Sequence, residues 1–322
     1  MRALVFQQAG DPAAVLKVAD VSDPTPVEGQ ALIKVTARPI HPADLAFIRG
    51  QYRVQPRLPQ VAGLEGVGVV LQAKDSSRLR PGMRVAFRWP GVWADLAAVP
   101  ESRLTEVPPD IPDDVACQIS LNPVTAWALL EEAQLQAGDW LLLTAAGSTV
   151  SSSIAAMAAQ RGIRIIGIAR DASKDRLLAS SIMHVLSARD ARLGDEISAI
   201  TNERGVGALL DSVGGPLLPT LFARLRPGAR ILAYGVQDRE PSPISNGMLI
   251  YPHLTWIGFG IDRWLSRLTE DSRREMFERL WSMVRDGRIA LAVASRHRLE
   301  DLAAALAADA QKHRNGKVLL AQ

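Results

Sequence analysis

From Leu135 onward the chain repeats one pattern, in which a short apolar run is followed by a stretch with helical spacing and then by another apolar run. The runs are DWLLLTA, IRIIGIA, MHVLSA, VGALLDS and ARILAYG, and residues 152–161 and 216–225 are two of the intervening stretches. Strands that alternate with helices pair in parallel, because each helix carries the chain back across the sheet. The pattern predicts a doubly wound parallel sheet. Residues 1 to about 118 read differently: short alternating segments such as QALIKVTA are broken at Pro24-Thr25-Pro26, Pro81-Gly82 and Pro108-Pro109, and predict a mostly β region. A last strand candidate, HLTWIGF, precedes an amphipathic helix near residues 269–286, and LEDLAAALAADAQ leads to a closing strand, GKVLLA. The predicted organisation is α/β, with a β-rich domain from residues 1–119 and 259–322 interrupted by a parallel-sheet domain at 120–258.

Composition narrows the function classes. The 322 residues are 48% apolar and 22% charged, as in a soluble globular enzyme, and a net charge of +3 on dispersed basic residues points to no nucleic acid and no membrane. The opening MRALVFQQAGDP is too short in apolar residues for a signal peptide, and no apolar stretch is long enough to span a bilayer. A cytoplasmic protein is expected. Cys117, the only cysteine, excludes an intrachain disulfide and reads as a small buried hydrophobe.

After the strand WLLLT comes Ala145-Ala146-Gly147-Ser148-Thr149-Val150-Ser151, and then helix. In a dinucleotide-binding unit this turn presents helix N–H groups to the pyrophosphate, and glycines let the backbone come close. Only one glycine is present here. Small residues at 145, 146, 148 and 151 still leave room for a phosphate, and serine hydroxyls can cap the helix or donate to a phosphate oxygen. An ordinary βα turn is the other reading. The next strand, RIIGIA, ends in Arg170, with Lys174 and Arg176 nearby. A basic group at this point suits a 2′-phosphate and favours NADPH over NADH, although Asp171 is adjacent and the charges could simply be solvated.

Five stretches together resemble the medium-chain dehydrogenase/reductase superfamily: GLEGVGVV (63–70), RPGMRV (80–85), LNPVTAW (121–127), QAGDWLLLTAAGSTV (136–150) and LLDSVGG (209–215). NPVTA and the Ala-Ala-x-Ser-x-Val turn are most similar to the zinc-free 2-enoyl thioester reductase branch, with the quinone oxidoreductases as near relatives. The resemblance implies a GroES-like catalytic domain around a Rossmann domain, an active site in the cleft between them, and NADPH. The chain departs from the branch at Ser151, where glycine is usual, and near Thr149, where Gly or Ala is usual.

Aligned with the zinc-dependent alcohol dehydrogenases, the three metal-ligand positions fall on His41, Leu64 and Leu121. Leucine offers no lone pair, so no catalytic metal is expected. A hydrogen-bond donor must then polarise the substrate carbonyl, and an enone reduction also needs a proton at the α-carbon. Tyr52 in IRGQYRVQP matches the Gly-x-Tyr of the enoyl thioester reductases and is the candidate donor; packing across a loop is its other reading. The resemblance places Asn122 and Thr125 beside the nicotinamide, though Asn-Pro-x-Thr also suits a helix N-terminus. The cofactor-binding set is completed by Ala146, Gly147, Ser148, Thr149, Val150, Ser151, Arg170 and Lys174, together with Tyr234 and Gly235 at the end of ARILAYG. Phe259 and Trp264, in WIGFGIDRWLSRL, resemble the walls of an acyl pocket, and Arg49, Arg53 and Arg57 around Tyr52 could meet coenzyme A phosphates or an acidic carrier protein.

The expected function is NADPH-dependent reduction of the C=C bond of a 2-enoyl thioester, carried by coenzyme A or an acyl carrier protein. A zinc-free quinone or enone reductase is the alternative on the same scaffold, and a non-catalytic dinucleotide-binding protein is the alternative of another class. A homodimer is expected through HLTWIGF, whose edge would otherwise be open.

Overall fold

The computed structural model describes residues 1–74, 78–170, 181–311 and 314–321. The chain forms two compact units: Met1–Leu121 with Arg279–Arg285 and Ala290–Gln322, and Asn122–Glu278 with Asp286–Ile289. Residues 259–278 thus group with the parallel-sheet unit, whereas the sequence pattern predicts them in the β-rich one. The physical reason is local. The helix Ile261–Leu265 packs back on the helix Asn122–Ala133, burying Trp264 to 8% exposure.

Eight strands precede Leu121: β1 (Arg2–Phe6), β2 (Lys17–Asp20), β3 (Gln30–Pro39), β4 (Gln60–Val61), β5 (Glu65–Gln72), β6 (Arg84–Arg88), β7 (Leu96–Pro100) and β8 (Leu104–Glu106). Six follow in the second unit: β9 (Trp140–Leu143), β10 (Arg164–Ala169), β11 (His184–Ser187), β12 (Val206–Asp211), β13 (Leu225–Ala233) and β14 (Thr255–Gly258). The chain then returns to the first unit with β15 (Val293–His297) and β16 (Lys317–Ala321).

In the β-rich unit, β2-β1-β4 form a small antiparallel sheet, and β15-β16-β3-β5-β6-β8 form a larger one with β7 also paired to β3. Alternate residues of these strands enter one core, including Leu4, Phe6, Ile33, Val35, Val85 and Phe87. The helix Pro42–Ile48 lies on that core through Phe47, whose ring meets Phe6 edge-on at 5.9 Å. Pro42 suits the first helical turn, and Gly50, at φ +68°, lets the chain leave the helix in a left-handed turn just before Tyr52.

The parallel sheet has the order β11-β10-β9-β12-β13-β14. Every residue of β9 and β12 is buried, as expected for central strands covered on both faces, and this is why they read as unbroken apolar runs. The chain builds outward in one direction from β9 and in the other from β12. In an open parallel sheet such a reversal, at the carboxyl ends of these two strands, is where a ligand binds. Among the described residues, no helix is long and apolar enough to cross a membrane.

Candidate active site

The ends of β9 and β12 are fastened to each other by buried hydrogen bonds. Thr144 Oγ1 donates to Asp211 Oδ1 (2.7 Å) and accepts from the Ser212 N–H (2.9 Å). The Asp211 carboxylate also accepts from Val213 N (3.1 Å) and Gly214 N (3.0 Å), which orders the loop after β12. Between these ties the chain turns through Ala145, at φ +49°, and buries Ala146. A Cβ added to Gly167, in neighbouring β10, would stand 2.7 Å from the Ala146 Cβ. Part of the room that glycines usually give such a turn is therefore supplied by the strand beneath it.

The two serines in the turn do different things. Ser148 is the N-cap of the helix Thr149–Gln160, its Oγ accepting from Ser151 N at 3.1 Å. Its hydroxyl donates to Ser151 Oγ (3.0 Å), which in turn donates to the Ala145 carbonyl (3.0 Å). Ser151 is thus fully buried with its hydroxyl directed into the turn. Thr149 and Val150 form the first helical turn, whose N–H groups lack intrahelical acceptors, and Gly147 is exposed ahead of them.

Two further hydroxyls face this turn, Ser212 Oγ and Tyr234 Oη, both buried. Burial raises the Tyr234 phenol, and the hydroxyls of Ser212, Ser151 and Ser148 are its neighbours. Tyr234 N donates to the Asp211 carbonyl (2.8 Å), and a Cβ on Gly235 would lie 2.6 Å from the Ser212 carbonyl oxygen, so glycine is required there. Hydroxyls clustered beside a helix N-terminus at a sheet's switch point fit the pyrophosphate of a dinucleotide.

Other predicted residues of this unit are placed as follows. Arg170 is exposed immediately after β10, while Lys174, with Asp171 and Arg176, lies outside the described residues. Asn122 begins the helix Asn122–Ala133, partly buried, and Thr125 is buried one turn on. Phe259 follows β14, its N–H donating to the Ala233 carbonyl at 2.8 Å, which sets it next to Tyr234. Trp264 is buried in the helix Ile261–Leu265.

In the β-rich unit, Tyr52 is partly buried against the core, its carbonyl held by Gln55 Nε2 (2.8 Å) and its ring 5.4 Å from the Arg53 guanidinium carbon. Arg49 pairs with Asp11 at 3.2 Å, and Arg57 is exposed. Arg88 was not singled out by the sequence. It closes β6 directly opposite Glu65 of β5; burial pulls its guanidinium down to about 10, and Tyr52 and Glu65 are among the neighbours that act on its charge.

The zinc-ligand positions hold a different arrangement. Leu64 and Leu121 are buried, and His41 Nε2 shares a 2.5 Å hydrogen bond with Glu65 Oε2. Glu65 Oε1 accepts from Leu121 N (2.7 Å), and Asp44 Oδ2 accepts from His41 N (2.7 Å). Burial pushes Glu65 up to about 8 and Asp44 up to about 7, and holds His41 well below its ordinary value, so the ring stays neutral. Among the described residues, no three His, Cys, Asp or Glu side chains are grouped to hold a metal ion. Glu65 could have been noticed as the one charge in GLEGVGVV, but its partner lies 24 residues away.

The alcohol dehydrogenase GroES-like domain family matches residues 27–109, and the zinc-binding dehydrogenase family matches residues 149–282. The mitochondrial enoyl-[acyl-carrier-protein] reductase of Rattus norvegicus is 33% identical over 318 residues, covering 96% of this chain and 85% of its own. A Bacillus thuringiensis protein classed as an NADPH:quinone reductase superposes with a TM-score of 0.92 at 27% identity, covering 100% of this chain and 98% of its own. A mycobacterial protein solved in complex with NADPH superposes with a TM-score of 0.89 at 25% identity, over 100% of both chains.

Proposed function

The chain belongs to the medium-chain dehydrogenase/reductase superfamily, and from that premise we propose that it is an NADPH-dependent, zinc-free reductase of 2-enoyl thioesters. The observation that carries the reading is the strand-order reversal at β9/β12 with its Ser148-capped helix, together with leucine at two of the three metal-ligand positions. When bound, NADPH supplies the hydride that adds to the substrate's β-carbon.

The rest falls to the protein's own side chains. The first-turn N–H groups of Thr149 and Val150, with the hydroxyls of Ser212 and Tyr234, hold the pyrophosphate, while Ala146, Gly147, Ser148 and Ser151 shape the turn. Arg170 meets the 2′-phosphate, and Lys174 is a second basic residue in the same stretch of sequence. Asn122 and Thr125 orient the nicotinamide, with Gly235 letting the backbone approach. Tyr52 donates from its phenol, polarising the thioester carbonyl or protonating the α-carbon. Phe259 and Trp264 line the acyl chain's path. Arg53 and Arg57 suit the phosphates of coenzyme A or an acyl carrier protein.

A second reading, an NADPH:quinone or enone reductase, is favoured by the TM-score of 0.92 to a protein classed with the quinone reductases. We also read the enzyme as a homodimer through β14, the outermost strand of the sheet, where Trp256 is 39% exposed. A cytoplasmic location accords with Cys117 as a free, buried thiol. The decisive experiment follows NADPH oxidation with crotonyl-coenzyme A beside a simple quinone. Turnover on the thioester supports the main reading, and turnover on the quinone alone transfers it to the second.

A further inference from the structure

Glu65 is fully buried and touches three separate segments of its unit. One oxygen shares a 2.5 Å hydrogen bond with His41, the residue that starts the helix Pro42–Ile48. The other accepts from the N–H of Leu121 at 2.7 Å, the peptide immediately before Asn122. Across the ladder Glu65 stands opposite Arg88, whose charge is also felt beside Tyr52. The helix that His41 starts ends at Ile48, and four residues later the chain reaches Tyr52. A carboxyl in a dry interior is costly to keep, and Leu64 and Leu121 are buried with it. An apolar residue in its place would pack equally well but could not tie His41 to the Leu121 peptide.

We infer that Glu65 is a positioning residue, joined with His41 in a metal-free fastener that holds the Tyr52 loop in place for catalysis, with the Leu121 peptide as its anchor. The inference rests on the reductase reading above. The carboxyl acts through the segments it holds and has no contact with substrate. Its consequence is specific: the effect of losing Glu65 must pass through Tyr52. A purely structural carboxyl would instead weaken the fold and leave the contribution of Tyr52 to each turnover unchanged.

The test is a double-mutant cycle on turnover with crotonyl-coenzyme A, using Glu65→Ala, Tyr52→Phe and the pair. We expect Glu65→Ala to lower kcat at least tenfold with NADPH affinity changed less than twofold. In the Tyr52→Phe background the same substitution should lower kcat by less than threefold. Glu65→Gln, whose amide can still accept from Leu121 N–H and donate to His41, should recover kcat to within threefold of the parent. If Glu65→Ala does not fold, His41→Ala enters the same cycle, since it leaves the Leu121 N–H satisfied. Equal effects of the substitution in both Tyr52 backgrounds, or no effect on kcat, would overturn the inference while the reductase reading stands. A parent protein inactive on both thioester and quinone would overturn the reading itself.

Discussion

Gly167 of β10 lies directly beneath Ala146, so close that a Cβ on the glycine would stand 2.7 Å from the alanine's and 3.1 Å from Ile182 Cγ2. The turn after β9 can be poor in glycine because the adjacent strand is not. Gly167→Ala should therefore displace Ala146 and, with it, the cap at Ser148. Overpacking of this kind costs about 1–3 kcal/mol. We expect a loss of stability in that range and NADPH binding weakened by about tenfold, the latter because the first-turn N–H groups must point at the phosphates. Fluorescence titration with NADPH and urea unfolding measure the two effects. Unchanged affinity would show that the turn does not depend on the strand below it.

Ala145 sits in the same turn at φ +49°, a region that costs an L-residue roughly 1 kcal/mol and glycine almost nothing. Ala145→Gly should relieve that strain, though it also frees the unfolded chain, so the net gain is expected at about 0.5 kcal/mol. A rise in urea midpoint without a change in slope is the signature. A clear fall would mean that the alanine methyl makes contacts worth more than the strain.

Glu65 and Asp44 are raised to about 8 and about 7 by burial, against ordinary carboxyl values near ~4. The folded state binds their protons more tightly than the unfolded chain, so the stability they contribute is full below about pH 4 and is lost progressively as pH rises from there through about 7 and 8. His41 has the opposite sign. Its lowered value removes stability as pH falls below about 6.5, the ordinary imidazole value. Between about pH 6.5 and 8.5 the carboxyls therefore dominate, and stability should fall as pH rises. Glu65→Gln cannot titrate, and its unfolding midpoint should fall less steeply over that range. Equal slopes for the two proteins would remove Glu65 as the source.

What the sequence revealed and what it hid follow from the range of the forces involved. The parallel sheet was readable because β9 and β12 are buried on both faces, which forces apolar residues at every position. The Ser148 cap was readable because a cap acts within three residues. The inward turn of the Ser151 hydroxyl was not, since it depends on how Ala145 bends the chain. The grouping of residues 259–278 with the parallel sheet was missed because helix-on-helix packing has no local signature that names the partner. Glu65 was missed for the same reason: a single charge in an apolar strand is explained only by His41 and the Leu121 peptide, and both are distant in sequence.

Arg170 follows β10 at the point where a 2′-phosphate is read, and it is exposed. Arg170→Asp should cost about 1–3 kcal/mol of NADPH binding, the scale of a charge-assisted pair, while NADH binding changes less. Dissociation constants for both cofactors in parent and variant decide it. Equal affinities in the parent would refute a role for this arginine in choosing the cofactor.

The reading of the chemistry depends most on Tyr52. Leucine at positions 64 and 121 removes metal ligands that would otherwise polarise a carbonyl, and Cys117 is buried with its thiol pushed well above its ordinary value, so it offers no acid in a substrate site. Tyr52 is partly buried behind the left-handed turn at Gly50, with Arg53 over its ring. Phenylalanine at 52 keeps the ring against the core and removes only the hydroxyl. If that hydroxyl donates in the transition state, Tyr52→Phe should lower kcat on an enoyl thioester by about 10²-fold, the lower end of general-acid effects, with NADPH affinity little changed. Turnover numbers and cofactor binding are measured separately, because a fall in both would indicate a disturbed fold. Unchanged turnover would leave Tyr52 as a packing residue and favour the quinone reductase reading, in which water can protonate the reduced acceptor.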